Sequence, residues 1–321
     1  MGWFSDLVKG VVAAAAIIYT GGMAAALFEA GSVAAAAVTF GSRLLAGYVV
    51  SSLLTRQSND QSGASTSSVE LGNRVPAGAS TTNKLPVVYG NAYMPHIVTD
   101  AKISEDQKTM WYVCTLSEVT DSGTLSFGDI YYDSKLVTFD GTDHTKVISL
   151  TNNNQGTPQV DTKVAGNLYM YLYNNGSNSP VNTSQTAIQV LQDAGIDPAQ
   201  QWTSTDLMSS AAFMIVKVVY NQDASTTNLG QVTVKMTNSL TKPGDVLYDY
   251  FTNSRYGCAI PASQVDTTSL TALNTYSDEL ITYIPVGGGT ATQARYRING
   301  PINTGNNCLT NIQQLVDACD S

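Results

Sequence analysis

Charged residues are scarce in this sequence, and no stretch of it is strongly basic. Asp, Glu, Lys and Arg make up 13% of the 321 residues, the net charge is −9, and the 16 Lys and Arg residues are scattered. Non-specific nucleic-acid binding depends on a basic face that neutralises phosphates. The composition therefore argues against that class of protein, and we expect no specific nucleic-acid partner.

Motifs for catalysis, metals and cofactors are missing as well. Histidine occurs only at His96 and His144, and no Gly-x-Ser-x-Gly elbow exists to support a hydrolase triad. His144 is interpreted as a loop residue beside a solvated Asp143. Neither zinc-ligand spacing nor a calcium loop is present, and the run 287–289 (Gly-Gly-Gly) lacks the Lys-Ser/Thr of a nucleotide loop. We predict a flexible hairpin tip there, no catalytic, cofactor or metal site, and no enzyme activity.

Cysteines are few and widely spaced. Cys114, Cys258, Cys308 and Cys319 form no Cys-x-x-Cys pair, and a disulfide framework would need denser spacing in a secreted chain. We expect reduced, buried thiols, with Cys308 and Cys319 on one stripe of a C-terminal helix.

Tyrosine is abundant, with 17 residues, as are Thr, Ser, Asn and Gly. Such a polar, low-charge composition is typical of β-rich surfaces and protein–protein contacts. The length allows about two or three domains.

Residues 1–56 form an apolar region rich in Ala and Gly. A membrane-spanning helix of about 20 residues is one interpretation, and a signal peptide is another, although the apolar run does not stop where cleavage should occur. The third is a helical hairpin with breaks at residues 21–22 and 31, whose small side chains allow close packing. We favour a helical element buried in an assembly, followed by a Ser/Gly-rich linker at residues 57–84.

The body, residues 85–240, is predicted to be β-rich. The run 211–220 is long and apolar enough to be a central strand, and 230–237 alternates apolar with polar residues. The other predicted elements are strands at 87–89, 97–98, 109–118 and 167–173, a hairpin over 127–137 that turns at Asp133–Ser134, and either a short helix or a lid-like excursion at 186–194.

Residues 241–321 are predicted to contain helices. Pro243 and Asp245 suit a first helical turn, and Asn253 and Gly257 indicate the stop. The apolar face of this helix comprises Val246, Leu247, Tyr250 and Phe251, and we expect it to pack under the sheet that contains 211–220. Further predicted elements are a helix at 267–280 after an N-cap at Asp266, a strand at 294–298 and a helix at 306–319.

Asp245 and Asp249 are four residues apart on the first of these helices. An acid pair or a cation site would explain the spacing. We prefer the solvated face of an amphipathic helix.

The stretch PGDVLYDYFTNSRYGCAIPASQVD closely resembles a segment of the phage tail-tip attachment (host-specificity) proteins, the J family of lambda-like tailed phages. A Pro-hydrophobic-hydrophobic-Tyr-Gly segment at 86–90 and strands in the same order extend the resemblance over roughly 85–321. The residues taken as a structural family motif are Leu247, Tyr248, Asp249, Asn253, Arg255, Tyr256, Gly257 and Pro261.

The resemblance implies a structural virion protein, the homotrimeric tail-tip hub, assembled in the host cytoplasm. It implies β-barrel-like domains after the Ala/Gly-rich helical N-terminus, contacts with distal tail and tip adaptor proteins and with the tape measure protein, and roles in host attachment and DNA ejection. Receptor binding would lie in a C-terminal region beyond Ser321. Residues 1–56 would then act as an axial plug or as an anchor.

Two other functions stay open at this point. A bacterial surface adhesin could use residues 10–55 as a membrane anchor. A glycan-degrading tail enzyme would need a pair of essential carboxylates, and no Asp or Glu stands in a motif that supports one.

Overall fold

The computed structural model of the protein describes residues 84–152 and 157–319. The predictions for residues 1–56, and for nearly all of the linker at 57–84, lie outside this part of the chain. The described residues form fourteen strands: β1 Val87–Tyr89, β2 Asn91–Pro95, β3 Ile97–Ile103, β4 Thr109–Glu118, β5 Leu125–Tyr132, β6 Lys135–Phe139, β7 Val147–Asn152, β8 Gln159–Asp161, β9 Leu168–Tyr173, β10 Ala211–Val219, β11 Val232–Asn238, β12 Leu280–Tyr283, β13 Ala291–Ala294 and β14 Gly300–Ile302. They also form four α-helices: α1 Ala187–Gln192, α2 Pro243–Thr252, α3 Thr267–Asp278 and α4 Cys308–Asp317.

The first sheet has the order β14-β1-β4-β10-β9, with β3 also pairing with β4. The predicted strand at 109–118 is confirmed as β4, and the predicted central strand is β10, which pairs antiparallel with β4 and with β9. Nearly every side chain of β4 and β10 is buried. Their apolar runs are continuous because both faces of this sheet are covered.

The second sheet has the order β2-β11-β5-β6-β7-β8. Strand β11 alternates buried and half-buried side chains, as its sequence predicts. The predicted hairpin is confirmed as β5–β6, and its turn residues Asp133 and Ser134 have φ values of 47° and 63°. Two successive positive φ angles are typical of a type I′ turn, whose twist matches that of the strands.

The main hydrophobic core lies between the two sheets, with Leu116, Met214 and Val216 from the first and Val234 and Met236 from the second. The sheets meet at Gly90, where the chain passes from β1 to β2. The mainly β class with few short helices is confirmed. Both sheets are open, so the barrel-like closure that the resemblance implies is not seen in the described residues.

The excursion between β9 and β10 covers the other face of the first sheet. Trp111, Phe213 and Ile215 of the sheet pack there against Leu191 and Trp202 in a second core. The predicted helix at 186–194 is confirmed over the residues of α1, and a capping box between Thr186 and Gln189 fixes its start.

The C-terminal segment adds β14 to the first sheet, antiparallel to β1, and surrounds that edge with helices α2, α3 and α4. The predicted helices at 267–280 and 306–319 are confirmed over α3 and α4, but Leu280 begins β12 and its side chain is 70% exposed. The predicted strand at 294–298 is wrong. Strand β13 ends at Ala294, because the next amides, of Arg295 and Tyr296, donate to carbonyls at the end of α3 instead of to a strand. The division into domains at residues 240 and 241 stays a prediction.

The expectation of four buried thiols is right for two of them. Cys114 and Cys319 are buried, whereas Cys258 is half-buried and Cys308 is exposed. Cys308 is the first residue of α4 and lies on the edge of the helix's apolar stripe, so its side chain remains at the surface.

Candidate functional site

Helix α2 begins at Pro243 and buries one face. Val246, Leu247 and Tyr250 are at most 5% exposed and pack with Val87 and Tyr89 in the third core. The prediction that α2 packs against the first sheet is therefore correct, but the predicted position is wrong. The helix covers the β1–β14 edge of this sheet and not β10. Gly244 allows close approach of α3, since a Cβ there would lie 2.2 Å from the Leu270 carbonyl oxygen.

Asp249 lies on the inner side of α2 and is 6% exposed. Its Oδ2 accepts hydrogen bonds from Tyr89 Oη and Tyr256 Oη, both at 2.8 Å, and Ser122 Oγ lies 3.5 Å from Oδ1. The predicted solvated face is correct for Asp245, which is exposed, and wrong for Asp249. Two phenol hydroxyls offset part of the cost of burying the carboxylate.

Burial dominates the electrostatics around this carboxylate. It raises the pKa of Asp249, although the hydrogen bonds from Tyr89 and Tyr256 act in the opposite direction. Burial and the neighbouring carboxylate also raise the pKa values of Tyr89 and Tyr256, because both disfavour a phenolate. The two tyrosines therefore stay protonated donors over the physiological range.

The chain leaves α2 at Asn253, whose side chain fixes the following turn. Its Oδ1 accepts from the backbone N–H of Arg255 at 2.9 Å, and its Nδ2 donates to Asp121 Oδ2 at 2.8 Å. Arg255 Nη2 donates to the Val119 carbonyl at 2.7 Å and lies 3.2 Å from Asp121 Oδ1. Together these contacts fasten the end of α2 to the loop that follows β4.

Gly257 passes directly over the last turn of α2. A Cβ at this position would lie 2.0 Å from the Tyr250 carbonyl oxygen and 2.8 Å from the Asn253 carbonyl oxygen, both of them backbone atoms. From the other side, Asn311 of α4 donates from Nδ2 to Tyr250 Oη at 2.8 Å. The same turn therefore contacts α4 as well.

We call this set of contacts the Asp249 junction, defined by Tyr89, Asp121, Ser122, Asp249, Asn253, Arg255 and Tyr256. Of the eight motif residues, the junction brings together Asp249, Asn253, Arg255 and Tyr256, with Leu247 and Gly257 beneath and beside it. Tyr248 and Pro261 are exposed and take no part. The sequence analysis did not identify Asp121, Ser122 and Asn311 as partners of these residues. Tyr89 could have been identified, because it lies in the segment 86–90 that belongs to the resemblance.

A second surface contrasts with the junction. Strands β12 and β13 pair only with each other among the described residues, and the loop between them contains the predicted glycine tip. The hairpin, residues 280–294, contains no Asp, Glu, Lys or Arg. Its exposed apolar side chains are Leu280, Tyr283, Ile284 and Val286. We call this surface the apolar hairpin.

The described residues contain no group of three or more His, Cys, Asp and Glu placed to hold a metal ion. No helix in the part of the chain that the structure describes is long and apolar enough to span a bilayer. His144 is exposed beside Asp143, as expected, and His96 is buried with its Nδ1 3.1 Å from the Val232 carbonyl oxygen.

No family model and no curated protein matches this chain. Among solved structures, it is similar to a chain described as the virion of a native gene transfer agent (GTA) particle, with 12% sequence identity and a TM-score of 0.31. The similarity covers 56% of this chain and 31% of that chain. At this TM-score we infer neither fold nor function from it.

Proposed function

We propose that this protein is a structural component of a virion, the trimeric tail-tip hub of a tailed bacteriophage. In this role it closes the tail tube, contacts the tape measure protein and the distal tail and tip adaptor proteins, and takes part in host attachment and DNA ejection.

The observation that carries this proposal is the role of the residues that give the sequence resemblance. Asp249, Asn253 and Arg255 join β1, the loop after β4 and the end of α2 through buried or charge-assisted contacts. Gly257 is required by the close backbone approach at the same point. Side chains that are occupied with one another in this way suit an architectural element.

The apolar hairpin supports the same proposal from the outside of the molecule. An uncharged β-hairpin with large exposed apolar side chains is typical of a surface that another chain covers. In a trimeric hub, the neighbouring copy or an adjacent tail protein would supply that cover.

The direct test is to locate the chain in purified phage particles. We expect an antibody against residues 84–319 to label the tail tip, and mass measurement on isolated tips to give three copies. Labelling of the bacterial membrane fraction with none on virions would overturn the proposal in favour of an adhesin. Six copies, or one, would overturn the trimer.

A complementation experiment tests the link between the junction and assembly. In a phage that lacks this gene, Asp249→Ala should reduce the yield of complete tails at least tenfold, because three elements lose their common anchor. Asp245→Ala is the matched control, since Asp245 is an exposed carboxylate on the same helix, and it should restore a normal yield. Equal yields from the two variants would contradict a role of the junction in assembly.

The apolar segment at residues 1–56 is proposed to plug the axial channel until DNA ejection. Deleting residues 10–55 should give tips that lose the tape measure protein. If such tips still assemble, retain the tape measure protein and eject DNA normally, the plug is wrong.

A further inference from the structure

Two of the four cysteines lie next to each other on the surface of the C-terminal segment. Cys308 Sγ lies 3.7 Å from the carbonyl oxygen of Gly257, which belongs to the peptide bond that leads into Cys258. The Cys308 thiol therefore lies beside the backbone that enters Cys258. Residues 50 positions apart are thus brought together by the fold, one from the turn after α2 and one from the first turn of α4.

The surroundings distinguish this pair from the other two cysteines. Cys308 is exposed and Cys258 is half-buried, so a small reagent can reach them, whereas Cys114 and Cys319 are buried. Both backbone segments are held in place independently of the thiols. The Cys258 N–H donates to the Tyr250 carbonyl at 2.9 Å, and Asn311 ties α4 to Tyr250 Oη.

We propose that Cys258 and Cys308 are a redox modification site, which closes to a disulfide by exchange with a low-molecular-weight disulfide such as oxidised glutathione. Thiols in the cytoplasm are kept reduced, and oxidising surroundings outside the cell favour the bridge. The bridge would lock the turn that follows the Asp249 junction onto α4. This is a property of the fold and does not depend on the proposed function.

The exchange proceeds in two balanced steps. The Cys308 thiolate attacks one sulfur of glutathione disulfide, so that a Cys308–glutathione bond forms, the glutathione S–S bond breaks and one glutathione leaves. The Cys258 thiolate then attacks Cys308 Sγ, which forms the protein disulfide and releases the second glutathione. The two protein sulfurs are oxidised, glutathione disulfide is reduced, and the two thiol protons end on the two glutathione molecules.

The second step is expected to be slow at neutral pH. Burial, together with the neighbouring Cys308, raises the pKa of Cys258 to about 12. Since the thiolate is the attacking form, the rate of closure should rise about tenfold per pH unit below that value.

The test treats the reduced full-length chain with glutathione buffers of increasing oxidised fraction, digests it without reduction and identifies the linked peptides by mass spectrometry. We expect a peptide that joins Cys258 to Cys308, with Cys114 and Cys319 recovered as thiols. We also expect the melting temperature to rise by roughly 5–10 °C, because the bridge closes a loop of about 50 residues.

Two variants serve as controls. Cys308→Ser should abolish both the linked peptide and the rise in melting temperature. Leu309→Ser, at the exposed neighbouring position, should retain both. The proposal is overturned if glutathione stays on Cys308 at every pH without closure, if the bridge involves Cys114 or Cys319, or if neither thiol reacts.

Discussion

The Asp249 junction is centred on α2 and the apolar hairpin lies later in the same C-terminal segment, but the junction covers its polar and apolar groups whereas the hairpin exposes its apolar side chains. In the junction, a buried carboxylate has two phenol donors and the large side chains around it are covered. In the hairpin, Leu280 and Ile284 are 70% and 79% exposed. At the base of the hairpin, Ser277 Oγ and Arg295 Nε are buried without a hydrogen-bond partner among the described residues.

The junction stabilises the folded chain, whereas the hairpin presents a surface that another chain can bind. A junction whose groups are all paired internally gains nothing from a partner, and its loss destabilises the protein itself. An uncharged apolar hairpin contributes little to the body and exposes area that a second chain can bury. Mutations in the two regions should therefore change different measurements.

The largest effect is expected from Leu247→Asp, which places an unpaired charge in the third core. We expect the free energy of unfolding to fall by about 4–5 kcal/mol, since the position is nearly inaccessible to water. Tyr248→Asp is the matched control, because Tyr248 is 38% exposed on the same helix and the change should cost about 0.5 kcal/mol. Denaturant unfolding that finds equal losses for the two variants would contradict the packing of α2.

Gly257→Ala should destabilise the junction by about 3 kcal/mol, since the new methyl group would meet backbone oxygens that cannot move aside. The comparison is Gly288→Ala in the hairpin loop, where nothing lies within 4 Å of the new Cβ and only the φ of +87° is unfavourable. That variant should cost about 1 kcal/mol. A smaller loss at Gly257 than at Gly288, measured by thermal unfolding, would argue against the close approach.

Asp249→Ala should cost about 2 kcal/mol, because it leaves the hydroxyls of Tyr89 and Tyr256 without their acceptor in a buried site. Asp249→Asn keeps an acceptor oxygen and should recover most of this loss.

The Asp249→Asn variant also tests how the ionisation of Asp249 makes the stability of the protein depend on pH. Since burial raises the pKa of Asp249 in the folded state, this group's contribution to stability is present below its ordinary pKa and is lost as pH rises through the folded value. Titration of stability from acid to neutral pH should show that loss in the native chain and not in Asp249→Asn.

Alkaline pH should lower the free energy of unfolding, because several buried tyrosines resist ionisation in the folded chain. Burial raises the pKa values of Tyr89, Tyr173, Tyr250 and Tyr256, that of Tyr250 to about 12. The unfolded chain loses these protons near pH 10, as an ordinary tyrosine does, so stability should fall above that pH by about 1.4 kcal/mol per unit for each tyrosine. Tyrosinate absorbance should appear together with unfolding. Ionisation of all tyrosines near pH 10 in a chain that remains folded would contradict their burial.

The smallest effect on folding, and the clearest on association, is expected in the hairpin. The double variant Leu280→Ser, Ile284→Ser should change the free energy of unfolding by about 0.5 kcal/mol or less, because both side chains are exposed. Sedimentation at increasing concentration should show weaker self-association than in the native chain. Unchanged association together with a large loss of stability would reverse the roles assigned to the two regions.

Local patterns predicted most elements of this fold. The run at 109–118 became β4 without a change of boundary, and the turn at Asp133–Ser134 and the start of α2 at Pro243 followed from residue chemistry that acts over a few positions. The error at 294–298 has a different origin. There, carbonyls at the end of α3 take the amides that a strand would have used.

The burial of Asp249 could not be predicted from its own helix. Its spacing from Asp245 indicates a solvated face, and the partners that change this lie far away in sequence: Tyr89 is 160 residues distant and Ser122 is 127. The same holds for the Cys258–Cys308 contact, which depends on how α4 packs. Sequence patterns report the amphipathic face of a helix, but not which distant hydroxyl will meet it.

The pairing of β1 with β14 has a consequence for the order of events during synthesis. Val87 is aligned with Ile302, so β1 lacks this neighbour and stays an edge strand of the first sheet until residues 300–302 have left the ribosome. At 5–20 residues per second, the interval is roughly 10–40 s. During that time one edge of β1 is unpaired in the nascent chain. The hydroxyl of Tyr89 also lacks its acceptor at first, because Asp249 is translated 160 residues later. Completion of the sheet is therefore expected to be late, with the unpaired strand as the point most exposed to misassembly between neighbouring nascent chains.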